Sequence, residues 1–156
     1  MKLLKFKILF LLFFQFSFVN SDEFALISTK YFSNLLVKTA IDQKSMIKGL
    51  MGLNELKGFN GMLFIYKFPK KVNFWMHNTI IPLDLIFIDE NMIVSSIKHG
   101  IPLKKDIISS DKNILAVLEI PFGCSQKLKL KKGEKLNWLI KSYTQIKNIR
   151  YFHCLN

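Results

Sequence analysis

The sequence predicts a mainly β fold: one compact antiparallel β-sandwich or partly open barrel, with one short helix. Three observations carry this expectation. From Gly61 onward the chain breaks into short runs rich in Val, Ile, Leu and Phe, each of strand length. Pro, Gly, Asp and Lys clusters punctuate those runs as close turns. Only one stretch, near residue 46, spaces its apolar side chains as a helix does.

In chain order, residues 22–34 form a poorly patterned lead-in, and 35–39 read as a first short strand. Asp42 is a natural N-cap, and Met46, Ile47, Leu50 and Met51 follow at helical spacing, which predicts an amphipathic helix over 43–51. Residues 62–67 are a mostly apolar strand, and 72–76 follow a turn at Pro69-Lys70-Lys71. Residues 83–88 and 93–98 make a hairpin joined through Asp89-Glu90-Asn91. Pro82 stands at a strand entrance, where its missing N–H is tolerated. A buried-type strand over 115–120 is closed by Pro121 and Gly123. Residues 127–130 alternate Lys and Leu, so a strand there has one wet and one packed side. Lys132-Gly133 turns the chain into a last strand over 135–140, and the tail from 141 to 156 is either helical or an edge extension. No repeat or linker divides the chain, so 35–140 reads as one domain.

Residues 1–21 read as a secretory signal. Lys2, Lys5 and Lys7 form a positive start, residues 8–19 are apolar except Gln15 and Ser17, and Val19-Asn20-Ser21 fits a cleavage site. Twelve helical residues span about 18 Å, short of the ~30 Å hydrocarbon core. The expected destination is a periplasm or envelope, with no membrane span in the mature chain. This segment holds six of the 15 Phe and three Lys, so the formal charge falls from +12 to +9 without it. Lys supplies that charge almost alone, Arg150 being the one arginine. Base readout and bidentate phosphate recognition favour Arg, so the composition argues against a nucleic-acid partner.

Cys124 and Cys154 have no CxxC or Cys/His spacing of a metal site. In an oxidising compartment they could pair, closing a loop of about 30 residues, but sequence cannot place their Cα atoms.

The chemistry concentrates in Phe74-Trp75-Met76-His77-Asn78-Thr79-Ile80-Ile81-Pro82-Leu83-Asp84. Asp84 interrupts an apolar strand, and strand alternation puts it with Ile86 and Ile88. Glu119 interrupts a second apolar strand in the same way. A buried carboxylate needs partners, so each acid either ties backbone together or serves a ligand or a proton transfer. Trp75 reads as a core anchor or a stacking surface, and Asn78 and Thr79 as turn formers or cleft walls.

These blocks, with Gly49-Leu50-Met51, Gly61-Met62-Leu63-Phe64, Val117-Leu118-Glu119-Ile120 and Gly133-Glu134, resemble the DUF192 family in order and spacing over about residues 35–140. The resemblance implies a jelly-roll-like β domain, often exported in bacteria, with no established activity. Two positions depart from the family pattern. Leu53 stands where Arg is usual, with Arg150 the one possible substitute, and His77 stands where Lys is common.

The leading functional expectation is a non-enzymatic binding module of the periplasm or envelope. Trp75, Met76, Asn78, Thr79, Asp84 and Glu119 would line its cleft, taking a small polar ligand or an envelope protein, with no cofactor. The first alternative is a hydrolase-like enzyme using Asp84 and Glu119 as acid and base with His77 assisting, although no GxSxG, HExxH or Ser-x-x-Lys motif is present. The second is a soft copper site built from Met46, Met51, Met62, Met76, Met92 and His77, although these methionines do not cluster in sequence.

Overall fold

The structure, a computed structural model, describes residues 23–147, 149, 150 and 152–154 of the 156-residue chain. The export segment expected over 1–21 lies outside these residues. The described chain forms β1 (Glu23–Ser28), β2 (Leu35–Ala40), α1 (Gln43–Lys48), β3 (Met62–Lys70), β4 (Asn73–Phe74), β5 (Leu83–Ile88) and β6 (Val94–Gly100). It continues through β7 (Ile108–Ser109), β8 (Ile114–Pro121), α2 (Cys124–Lys127), β9 (Asn137–Ser142) and α3 (Tyr143–Ile146).

Seven strands make one sheet in the order β6-β5-β8-β3-β2-β1-β9, and β4 and β7 pair as a separate ribbon. The mainly β class holds, but the sheet is mixed rather than antiparallel: β2 and β3 run parallel, Lys38 opposite Met62. Parallel neighbours need a crossover in place of a hairpin, and residues 41–61, with α1 inside them, make it. The opposing sheet of a sandwich or jelly roll is not formed by the described residues, whose second sheet is the two-stranded ribbon. The large sheet is not closed into a barrel either. Its edges are tied at one corner, where Val94 N–H donates to the Glu134 carbonyl (2.8 Å) and Leu136 N–H to Met92 (2.9 Å), just before β9.

Three further expectations are corrected. The lead-in contains β1, which pairs on both sides, with β2 and β9. There are three short helices among the described residues, not one. The Lys/Leu alternation over 127–130 is no strand: α2 ends at Lys127, and Leu128 and Leu130 pack into the core. Gly123, at φ 84°, turns the chain off β8 into that helix, a left-handed conformation that suits glycine. The hairpin and the cap behave as read. Asp89 Oδ1 accepts from Asn91 and Ile93 N–H (3.0 Å each), and Asp42 Oδ1 accepts from Ser45 N–H (3.0 Å).

Every residue of β5 is buried, so the sheet is covered on both faces there. On one face Ala25, Ile27, Val37, Leu63, Ile86, Leu118 and Ile120 form a core with α2 and the chain beyond it. On the other, Met62, Phe64, Leu83, Leu85, Phe87 and Val117 pack with Leu50 and Met76. Cys124 and Cys154 are joined, Cα atoms 5.8 Å apart. The bridge fixes α2 to the segment around Cys154, whose N–H donates to Asn60 Oδ1 (2.9 Å). No helix of the described residues is long and apolar enough to cross a membrane.

Candidate functional site

β8 lies between β5 and β3, and the register there decides what each acid faces. Asp84 is opposite Ile120 and His99, while Glu119 is opposite Leu85 and Met62. Directly opposed residues share a face. The two carboxylates, though on neighbouring strands, therefore lie on opposite faces of the sheet. They cannot act on one substrate, which removes the acid–base pair expected of a hydrolase.

Asp84 is fully buried and fully used. Its Oδ2 accepts from Gly123 N–H (3.0 Å), Ser125 N–H (3.0 Å) and Ser125 Oγ (2.6 Å). Its Oδ1 lies 2.8 Å from His99 Nδ1. The carboxylate thus clamps the start of α2 to the start of β5. His99 packs edge-on against Phe122, ring centroids 5.1 Å apart, beside a cavity of about 400 Å³ that Ser125 and Leu130 also line. Nothing in the sequence pattern singled out His99, because its partner lies across a strand pairing whose register cannot be read from residue types.

Glu119 is in the contrary state. It is 5 % exposed, and its side chain has no hydrogen-bond partner or ion pair among the described residues. Burial pushes its carboxyl up to about 8, because the charged form loses water and gains nothing in exchange. Gly61 is needed beside it: a Cβ there would fall onto the Glu119 carbonyl oxygen, so the β3–β8 approach excludes any larger residue. Glu119 faces a cavity of about 210 Å³ between α1 and the sheet. Phe64, Tyr66, Phe74 and Trp75 give that cavity an aromatic lining, Leu50 and Met51 an aliphatic one, and Thr79 a hydroxyl. Lys48 is at its α1 wall. Burial first, and the nearby Glu119 charge second, push the Tyr66 phenol up to about 12.

The expected cleft residues divide accordingly. Trp75 is 51 % exposed, so it is a wall of the cavity and not a core anchor. Thr79 and Glu119 join it there. Met76 is buried in the core, where it fills the space that Gly100 leaves open. Asn78 is exposed, its carbonyl accepting from Gly52 N–H (2.9 Å). His77 sits 5.8 Å from the Trp75 ring, centroid to centroid. Tyr66 was missed, yet it continues the alternation of Met62 and Phe64 that puts it on Glu119's face. Met46, Met62 and Met76 share one apolar cluster as packing residues, Met51 lines the cavity, and Met92 is in the β5–β6 turn. Leu53, at the usual arginine position, packs against the apolar cluster, and Arg150 is exposed.

Residues 26–138 match the family DUF192, described as uncharacterized ACR. Among solved structures, one similar chain is a protein of Sinorhizobium meliloti 1021 named as a candidate transcription regulator. It is 28% identical with a TM-score of 0.69, the match covering 77% of this chain and 96% of that one. Another is a protein of unknown function from Novosphingobium aromaticivorans DSM 12444, 31% identical with a TM-score of 0.65, covering 74% and 84%. No protein of curated function matches.

Proposed function

The chain belongs to the DUF192 family, and we propose that it is a non-enzymatic binding module that holds one small molecule in the cavity between α1 and the sheet. The observation that carries this reading is the Glu119 carboxyl, buried and without a partner at the cavity wall. The fold offers this carboxyl no donor, and a ligand that pairs with it through the cavity supplies one. The volume of about 210 Å³ exceeds the ~150 Å³ that accommodates benzene in an engineered protein cavity. The occupant is therefore a compact molecule of roughly one ring. Trp75 supplies contact area, and Glu119 and Thr79 supply orientation.

This reading also takes the module to be exported to a periplasm or envelope. The charge and hydropathy pattern of residues 1–21 supports that, and a disulfide between Cys124 and Cys154 suits an oxidising compartment. A one-ring fragment library screened by NMR against the purified protein tests the binding claim. Hits should shift the Trp75 indole and the amides of Gly49 and Thr79 together. A library that moves none of the three overturns it.

A further inference from the structure

We infer that the occupant is a compact organic cation, a primary ammonium carried on a small aromatic or aliphatic body, with its charged head at Glu119. This rests on the binding reading and names its ligand class. Glu119 is the one carboxyl among the described residues lining the cavity. It sits on β8, an interior strand of the sheet, flanked in register by apolar Met62 and Leu85. The titratable groups that share the cavity are Tyr66 on β3, which stays a neutral phenol at ordinary pH, and Lys48 on the exposed face of α1. The ribbon side contributes Asn73, Phe74 and Trp75, none of them charged.

The rest of the lining points the same way. Aromatic faces carry negative quadrupole density and attract cations. This protein already uses Tyr66 so, with Lys70 Nζ 4.6 Å from the ring centroid. An anion would meet four aromatic rings and an acid on the sheet and ribbon sides, and Lys48 only at the exposed α1 rim. A neutral guest would gain one hydrogen bond from a protonated Glu119. An ammonium gains an ion pair with a carboxyl that is itself buried, where charges attract more strongly than in solvent.

The proton balance follows from the state of the empty site. Burial keeps Glu119 mostly protonated at pH 7. When an ammonium ion enters from water, the carboxyl proton leaves to solvent and the carboxylate pairs with the three N–H donors of the ammonium. One cation is taken up and close to one proton is released, so charge is conserved.

Titration calorimetry with benzylamine, benzyl alcohol and benzoate at pH 7, in buffers of different ionisation enthalpy, tests this. Benzylamine should bind at least tenfold tighter than either analogue and release about nine-tenths of a proton. The Glu119→Gln protein should bind benzylamine no better than benzyl alcohol and release none. Alcohol or benzoate binding as tightly as the amine, or amine binding without proton release, overturns the cation assignment and leaves the binding reading standing. Failure of all three probes and of the fragment library to enter the cavity sinks both. If Glu119→Gln does not fold, the ranking and the proton count on the unmodified protein still decide.

Discussion

Replacing Glu119 by Gln keeps shape and volume and removes one titration, so the pH dependence of stability isolates that carboxyl. Its folded value is about 8, against 4.5 for the ordinary side chain. The folded state therefore holds a proton that the unfolded chain gives up between about pH 4.5 and 8. The stabilising proton is fully in place below pH 4.5, and its contribution is lost as pH rises through 8. The full difference corresponds to roughly 5 kcal/mol, with roughly 3 kcal/mol already lost at pH 7. Urea unfolding of both proteins, disulfide oxidised, from pH 5 to pH 9 measures it, because every other titration cancels in the difference. The glutamine protein should gain about 4 kcal/mol relative to the parent across that range. A difference flat to within about 1 kcal/mol would mean that Glu119 is ionised or hydrated in the folded state. The unpartnered carboxyl, and with it the site, would then be lost.

Three other outcomes separate scaffold from site. Asp84→Ala should cost about 3 kcal/mol in urea unfolding, because the buried Ser125 N–H and the part-buried Gly123 N–H lose their acceptor. A cost under about 1 kcal/mol would contradict the clamp. Reducing Cys124–Cys154 releases a constraint over 30 residues, worth roughly 3–4 kcal/mol by loop entropy, and should lower the urea midpoint without changing cavity binding. Trp75→Ala should leave stability within about 0.5 kcal/mol, since the ring is half exposed, and should weaken fragment binding roughly threefold to tenfold by NMR titration.

The elements that the sequence made legible are those whose signals are local. β5 and its hairpin follow from an apolar run with an Asp-Glu-Asn turn, and the start of α1 follows from Asp42. The misread elements depend on partners far along the chain. β1 carries no turn signal of its own and is a strand because β2 and β9 flank it. Residues 127–130 alternate like a strand, but Gly123 and the Asp84 clamp direct the chain into α2 instead. The same divide runs through the site. That Asp84 and Glu119 are unusual was visible as two acids in apolar strands. That one is saturated and the other bare depends on register, because Asp84 meets the start of α2 and His99 while Glu119 meets Leu85 and Met62. Tyr66 was within reach of alternation alone, had the face of Glu119 been known.

The parallel pairing of β2 and β3 obliges the chain to leave the sheet and return, and α1 lies on that detour. It buries none of its six residues, yet Met46, Ile47 and Lys48 line the cavity wall. The cavity is thus walled on one side by the interior of a rigid sheet and on the other by a single helical turn and a half. Displacing that turn breaks no strand pairing and exposes little apolar surface, so the cavity can open independently of global unfolding. The burial of Glu119 and the exposed helix that walls its cavity are supplied by different parts of the chain. Either can change in sequence without loss of the other.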